Sequence, residues 1–179
     1  MRWRECKSLI NSDLMRLGNT GGLVRNLLFN ESFSFTFWFR IGSMLESSKH
    51  GILFMIFSVL YRRKMSKTQR NIPLGTSIGG GLRLIHYGTI VIHKWAKIGK
   101  NCTILHNVTI GKTDKGIPTI GDNVTIGANC VLIGPIYIGD NVTIGAGSVV
   151  IKDVPENACV VGNPGRVISY NGAIAGKNF

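Results

Sequence analysis

The sequence is poor in acidic residues. It has 9 Asp and Glu against 21 Lys and Arg, a formal net charge of +12, and no acidic residue between Glu46 and Asp114. A field of this sign concentrates anionic ligands, such as a phosphorylated cofactor, an acidic glycan or lipid headgroups. We do not expect nucleic acid as a partner, because no helix-turn-helix, zinc finger or RNP-like motif accompanies the charge.

Clustered cysteines are also missing. The four cysteines lie far apart and form no CxxC motif, so we expect neither a structural zinc site nor a disulfide-stapled secreted fold. Isolated cysteines of this kind are typical of the reducing cytoplasm. The amino-terminal stretch has basic residues but no apolar h-region, and we therefore expect a cytoplasmic protein without a signal peptide.

No apolar run is long enough to cross a bilayer. The most apolar segment, residues 51–61, has about half the length that a transmembrane helix needs. Arg62, Arg63 and Lys64 follow it directly, so the segment could lie as a peripheral helix on the anionic inner face of a membrane. The alternative, which we prefer, is a core helix with a solvated basic end.

Aliphatic residues recur every six positions from residue 92 onward. The first places of successive units hold Ile92, Ile98, Ile104, Ile110, Ile120, Ile126, Leu132, Ile138, Ile144 and Val150. An amphipathic helix needs a period near 3.6, and an ordinary hairpin sheet needs an alternation of two. A period of six predicts a mainly β solenoid, in which inward aliphatic residues stack from coil to coil and Gly and Asn form the corners.

One interval breaks the period. Ile110 and Ile120 are ten positions apart, so four residues within 112–119 must leave the solenoid as a loop. Gly116 and Pro118 in this segment are loop-forming residues. Loops that leave a regular scaffold are common places for ligand contact, although a tolerated insertion is the alternative.

Traced backward with the same step, the register reaches His86. Ile78, Leu84 and Ile90 then fall in the fifth places of their units, and His86 falls in a first place. Every unit from Ile92 onward has an aliphatic residue at that place. Exceptions to a local rule tend to mark function, so His86 is the leading candidate for a functional side chain.

The repeat and its flanking segments resemble the hexapeptide-repeat acyltransferases, most of all the serine acetyltransferase branch. The resemblance covers residues 71–168 and is carried by IGGGLRLIHYGTIVI, the loop after VTIG, the coil IGAGSVV and the closing VPENACVVGNPGRVI. It implies a left-handed parallel β-helix over residues 71–155, after a helical segment of residues 1–70 and before a closing tail of residues 156–179. Residues 31–45 look like the N-terminal helix of such proteins, although their alternating Phe residues would also suit a strand.

The resemblance implies acetyl-CoA as co-substrate, a homotrimer of three-sided prisms with the cofactor between them, and no metal. His86 matches the general base of that family. An unperturbed imidazole titrates near neutral pH, so it can take a hydroxyl proton and later return it to the CoA thiolate. The cofactor contacts implied at matching positions are Gly111, Thr113, Gly127, Ala128, Gly145, Ala146, Lys152 and Arg166.

Two motif positions depart from the serine acetyltransferases. Asn71 stands where that family has an Asp that orients the base, and the loop reads KGIP at residues 115–118 where the family has a substrate-binding His. The candidates to orient His86 are then Asn71, Asp114, a backbone carbonyl or a group from a neighbouring subunit. Because both losses concern the acceptor, we predict O-acetylation of a carbohydrate, as in the similar colanic-acid and capsular-polysaccharide acetyltransferases, with free serine as the alternative.

The remaining assignments concern the acceptor and the other histidines. Acceptor binding is predicted for Tyr87, His106 and Ile117, whereas His93 and His50 are expected to be bystanders. Three histidines on a solenoid also raise a zinc lyase resembling the γ-type carbonic anhydrases, but the intervals between positions 86, 93 and 106 do not match its ligand pattern. A non-catalytic solenoid used for assembly is a third alternative, and it predicts that acetyl-CoA does not bind.

Overall fold

Four helices precede the strands in the computed structural model, which describes residues 1–18, 21–48, 51–171 and 173–174. The helices are α1 (Trp3–Met15), α2 (Gly22–Phe29), α3 (Glu31–Ser47) and α4 (Gly51–Thr68). His50 lies outside the described residues. In the described part of the chain, no helix is long and apolar enough to cross a membrane.

Helix α3 packs the helical segment against the strands. Asn30 caps its start, because the side-chain oxygen accepts a hydrogen bond from Phe33 N at 2.9 Å. Phe35 and Phe39, four positions apart and thus on one helical face, are buried in the main core. The helical interpretation of residues 31–45 is therefore confirmed.

A buried ion pair joins α1 to α3. Arg40 donates from Nε to Asp13 Oδ2 at 2.9 Å and from Nη2 to Oδ1 at 3.1 Å. Two further guanidinium hydrogens go to the carbonyl oxygens of Ile78 and Gly79, both at 2.6 Å. Both charged side chains are at most 2% exposed, and these four hydrogen bonds offset the cost of their desolvation.

Helix α4 packs with one side only. Phe57 stacks on Trp38 with ring centroids 5.1 Å apart, and the buried Tyr61 hydroxyl donates to Ile72 O at 2.8 Å. The other side leaves large apolar side chains exposed, namely Ile52, Leu53, Met55, Ile56, Val59 and Leu60. The preferred prediction of a core helix is therefore wrong for this outer side, because α4 contacts α3 and the first strand but no element covers it from outside within the described residues.

Short strands joined by corners follow the helices in the rest of the described chain. They are β1 (Arg70–Asn71), β2 (Ser77–Ile78), β3 (Arg83–Leu84), β4 (Ile90–Ile92), β5 (Lys97–Ile98), β6 (Thr103–Ile104), β7 (Val108–Gly111), β8 (Thr119–Ile120), β9 (Thr125–Ile126), β10 (Val131–Ile133), β11 (Tyr137–Ile138), β12 (Thr143–Ile144), β13 (Val149–Val150), β14 (Ala158–Val161), β15 (Arg166–Tyr170) and β16 (Ala173–Ile174). Most have two residues because a corner follows each third of a coil.

Three parallel sheets wrap into a prism. The first sheet contains β1, β4, β7, β10 and β13, the second contains β2, β5, β8 and β11, and the third contains β3, β6, β9, β12 and β14. The antiparallel strands β15 and β16 extend the third sheet beyond β14. Successive strands go to successive sheets, as in a parallel β-helix, and the predicted left-handed parallel β-helix is confirmed.

Aliphatic columns fill the prism. In the second sheet, Ile98, Ile120 and Ile138 stack by register, and each is at most 4% exposed. Burying one such side chain stabilises a fold by about 1.5–3 kcal/mol relative to leaving it in water. The six-residue period therefore arises because each coil presents the same inward positions to the next coil.

Asparagine forms the corners between the second and third sheets. Asn101, Asn123, Asn141 and Asn157 make a ladder in which each Nδ2 donates to the next Oδ1 at 3.0 Å. Their φ angles lie between +56° and +60°, a left-handed region that Asn tolerates better than most residues. The ladder explains why Asn recurs in the repeat.

The coil from Ile98 to Ile120 contains the loop. Its strands pair 22 positions apart, four more than the 18 positions of the following coil. The additional residues leave the solenoid within 112–118, between β7 and β8. Thr113 and Gly116 close this loop by exchanging backbone hydrogen bonds of 2.9 and 3.2 Å.

The corner that holds His86 is two residues longer than the matching corner of the next coil. Leu84 pairs with Ile104, 20 positions later, but Ile90 pairs with Val108, only 18 positions later. The prediction that His86 occupies an aliphatic wall position is therefore wrong. In the next coil the matching residues, Ile104 and Val108, are four positions apart. Leu84 and Ile90 are six positions apart, the length of one repeat, only because this corner has two more residues.

Candidate active site

The enlarged corner, residues 85–89, carries the predicted base. His86 is exposed, and Tyr87 is 77% exposed. The His86 ring meets the ring of His106 in the next coil, with centroids 5.8 Å apart and planes at 74°. Gly88 lets the corner pass over His106, since a Cβ at Gly88 would lie 2.8 Å from His106 Cβ. The structure thus brings the predicted base together with two predicted acceptor residues.

His106 has a ring nitrogen without a partner. Its Nδ1 is buried and makes no hydrogen bond within the described part of the chain. A buried polar atom without a partner is costly, so this nitrogen is an exception that needs an explanation. The third predicted acceptor residue, Ile117, lies in the loop and packs against the solenoid core instead.

His106 lies at the edge of the prism where the chain passes from the third sheet to the first. Small residues occupy the same edge in the coils that follow. Ala128 and Ala146 occupy this edge in the next two coils, and backbone hydrogen bonds join each coil to the one before. A Cβ added at Gly127 or Gly145 would lie 2.6 or 2.7 Å from its nearest neighbour, so neither position has room for a side chain. Four of the predicted cofactor residues therefore form one smooth edge that begins at the two histidines.

The other predicted cofactor residues lie elsewhere. Gly111 ends β7 and Thr113 lies in the loop, so both are at the opposite end of the first sheet's strands from His86. Lys152 is exposed and follows β13 at that same end. Arg166 begins β15, beyond the last coil of the smooth edge. Within the described residues of one chain, this second group does not meet His86.

Neither predicted orienter contacts the His86 ring. Asn71 is exposed in β1 and Asp114 is exposed in the loop, and among the described residues no hydrogen bond joins either side chain to the imidazole. Contact comes through the backbone instead, where Arg70 Nη2 donates to the His86 carbonyl oxygen at 3.2 Å. Sequence reasoning missed Arg70. If the six-residue register before Ile90 is shifted by the two additional residues of the corner, Arg70 falls in the same inward column as Ile90 and Val108.

A cavity of about 310 Å³ opens between the enlarged corner and the start of α3. Its walls are Phe29, Asn30, Glu31, Ser32, His86 and Tyr87. Burial lowers the pKa of Lys64 and of Arg70, and the nearby negative charge of Glu31 opposes both shifts. Glu31 thus brings an acidic group to the cavity that His86 also lines. Sequence reasoning missed it because 55 positions separate it from His86.

His93 does not join the other two histidines. It follows β4 at the end of the first sheet away from His86, and its ring lies 5.4 Å from the Trp95 ring. Over the residues that the structure describes, no group of three or more His, Cys, Asp or Glu side chains is placed to hold a metal ion. The three histidines of the zinc-lyase alternative therefore do not share a site.

Known proteins match the solenoid in sequence. Residues 117–152 match the family bacterial transferase hexapeptide (six repeats). Serine acetyltransferase 3, mitochondrial, of Arabidopsis thaliana is 50% identical over 98 residues, which are 52% of this chain and 25% of that protein. The chain spans between 25% and 51% of the length of the curated relatives that it matches.

Solved structures match the helices as well as the solenoid. The soybean serine acetyltransferase complexed with serine has a TM-score of 0.81 and 31% identity, covering 92% of this chain and 70% of that one. The serine acetyltransferase of Brucella abortus strain S19 in complex with coenzyme A has a TM-score of 0.80 and 29% identity, covering 96% of this chain and 70% of that one. These relatives give no support to the predicted closeness to colanic-acid and capsular-polysaccharide acetyltransferases. With this identity and coverage, the chain belongs to the serine acetyltransferase family of hexapeptide-repeat proteins.

Proposed function

We propose that the protein is an acetyl-CoA-dependent acyltransferase that acetylates the hydroxyl of serine. The observation that carries the proposal is the enlarged corner, where an exposed imidazole stands at the rim of a cavity and at the start of a smooth edge of small residues. The names of the relatives favour serine, the alternative acceptor of the sequence analysis, over the carbohydrate that we predicted.

In this mechanism His86 acts as the general base. It accepts the proton of the acceptor hydroxyl while the hydroxyl oxygen attacks the thioester carbonyl of acetyl-CoA. The tetrahedral intermediate then collapses, the bond between carbon and sulfur breaks, and the imidazolium returns the proton to the CoA thiolate. The smooth edge allows the pantetheine arm to approach the backbone closely, because Gly127 and Gly145 carry no side chain.

The cavity supports a small acceptor. Its volume of about 310 Å³ is near the lower end of the range for ligand pockets, roughly 300–1,000 Å³. Glu31 gives one wall a negative charge that suits the ammonium group of an amino acid, while His86 on the opposite wall reaches the hydroxyl. Glu31 and His86 on these two walls compensate for the family's Asp and substrate-binding His, which are replaced here by Asn71 and by residues of the segment 115–118.

Replacing Glu31 with glutamine is expected to raise the KM for serine. Hydrogen bonds to charged groups contribute about 1.5–3 kcal/mol, which corresponds to about a 10- to 100-fold change in affinity. Steady-state thiol release measures this KM. Glu46→Gln is the matched control, since Glu46 pairs with Lys94 at 2.8 Å and does not line the cavity. Equal KM values for Glu31→Gln and the wild type would refute the ammonium site.

An acceptor panel tests the proposed function itself. We expect thiol release from acetyl-CoA with serine and, more weakly, with 3-hydroxypropionate, which lacks the ammonium group. The Glu31→Gln change should affect only the first of these acceptors. Turnover with nucleotide sugars and none with serine would return the acceptor to the carbohydrate class, and absence of acetyl-CoA binding would favour the non-catalytic solenoid.

We also propose a homotrimer. The predicted cofactor residues lie on two separate edges of the first sheet, so neighbouring prisms would be needed to bring Gly111, Thr113 and Lys152 toward the edge that starts at His106. Sedimentation at three times the monomer mass is the expected result. Peripheral membrane contact through α4 and a cytoplasmic location stay predictions.

A further inference from the structure

We infer that Arg70 positions His86, an inference that rests on the proposed function in taking His86 as the base. Arg70 lies in β1 with its side chain directed inward and only 1% exposed. By register it stacks on Ile90 and, one coil further, on Val108. A charged residue thus begins an aliphatic column. Arginine is almost never fully buried unless it is paired, so its partners show why it is there.

The Arg70 guanidinium contacts both walls of the cavity. Its Nη2 donates to Ser32 Oγ at 3.0 Å and to the His86 carbonyl oxygen at 3.2 Å. Its Nη1 makes a longer contact of 3.5 Å to the Glu31 carbonyl oxygen, and the Phe35 ring lies 5.6 Å from the guanidinium carbon. One planar group therefore joins the first turn of α3 to the enlarged corner.

The backbone of His86 requires such support. Its φ of +64° lies in the left-handed region, which is uncommon for any residue other than Gly, although Asn, Asp and His adopt it more often than the rest. In the following coils, Asn amides stabilise such corners. The Asn107 amide donates to Asn129 and accepts from Thr89 N, so it supports the end of the enlarged corner and not His86 itself. Over the described residues, no amide ladder reaches His86. Strained conformations persist only where the surroundings fix them, and here Arg70 binds the carbonyl oxygen.

The consequence for catalysis is geometric. The carbonyl contact fixes the peptide plane after His86 and with it the position of the imidazole relative to the cavity. Lysine cannot replace this contact, because its ammonium is a single point on a flexible stem and cannot span the partners that a planar guanidinium fork reaches. A displacement of a reacting group by about 1 Å can lower a rate by about 100-fold.

Two buried arginines provide a matched pair of variants. Arg40 and Arg70 are both at most 2% exposed and both connect α3 to the solenoid, but Arg40 binds Ile78 and Gly79 rather than His86. We expect Arg70→Lys to lower kcat with serine by about 10- to 100-fold at an unchanged KM for acetyl-CoA. Arg40→Lys should lower thermal stability and keep kcat per folded molecule.

A spectroscopic measurement separates this inference from the proposed function. In protein labelled with ¹⁵N-histidine, the ring signals of His86 are identified by their loss in His86→Gln. We expect Arg70→Lys to shift or broaden these signals and Arg40→Lys to leave them unchanged, whether or not serine is turned over. Ser32→Ala keeps Arg70 and removes one of its partners, so it should give a smaller change of the same kind even if Arg70→Lys does not fold.

Three outcomes decide the matter. Unchanged His86 signals in Arg70→Lys and Ser32→Ala would overturn the positioning role. Equal losses of kcat in Arg70→Lys and Arg40→Lys would also overturn it, because they would show that any loosened contact between α3 and the solenoid has the same effect. Absence of serine turnover by the wild type would overturn the proposed function, while the ring signals would still test the role of Arg70.

Discussion

Replacing His86 with alanine is expected to lower kcat for acetyl transfer by about 10²- to 10⁴-fold, the usual contribution of a general base. Acetyl-CoA binding should persist, because the small residues of the smooth edge lie in other coils and do not depend on the imidazole. Thiol release gives kcat, and a thermal-shift titration with acetyl-CoA reports binding through the rise in apparent stability.

Two further variants make this result specific. His86→Asn also removes the base but tolerates the positive φ of the corner, so it separates lost chemistry from backbone strain. His93→Ala removes a histidine at the other end of the first sheet's strands and should keep wild-type kcat. Turnover retained by both His86 variants would disprove the role of His86 as base and would direct attention to His106.

The second large effect is expected for stability. Asp13→Ala should lower the free energy of unfolding by about 3–5 kcal/mol, the usual cost of removing one partner from a buried ion pair. Arg40 would remain 2% exposed without its carboxylate, and Leu82 N would lose the acceptor that it contacts at 2.8 Å. Urea unfolding measures the change as a lower midpoint at a similar slope.

Asp114→Ala is the matched control for Asp13→Ala. Asp114 is exposed in the loop and has no ion pair among the described residues, so its removal should change the free energy of unfolding by no more than about 0.5 kcal/mol. If the two variants differed by less than about 1 kcal/mol, the buried pair would not be what fastens α1 and α3 to the solenoid.

The solenoid could be predicted from the sequence because its rule is local. Each coil repeats the same inward positions, so residues such as Ile98, Ile120 and Ile138 show the period without any knowledge of distant contacts. Helix α3 could be predicted for the same reason, since the spacing of Phe35 and Phe39 lies within one element.

The register before residue 92 failed because an insertion imitated the repeat. Leu84 and Ile90 are six positions apart, as successive equivalent residues would be, yet they hold different places in their units. Only the pairing between strands shows that two residues had been added at the corner. The same shift concealed Arg70, which the corrected register places in an aliphatic column.

The cavity proposed for the acceptor was beyond sequence reasoning for a different reason. Its walls come from the first turn of α3 and from the enlarged corner, which only the three-dimensional packing brings together. Motif positions show which groups are lost, here at Asn71 and in the loop, but they do not show which distant side chain takes their place. The prediction of a carbohydrate acceptor followed from these losses and from the resemblance to polysaccharide acetyltransferases, without Glu31.

Every parallel strand pair of the prism joins residues 16 to 22 positions apart. Each coil therefore closes a loop of nearly constant and modest length, and loop-closure entropy rises only slowly with length. Most parallel sheets need long crossovers before any strand can pair, whereas this chain can add one coil at a time to the coil already formed. The contact of Arg40 in α3 with Ile78 and the contact of Arg70 with Ser32 in α3 each join residues 38 positions apart, about twice that length, so they close larger loops than any single coil.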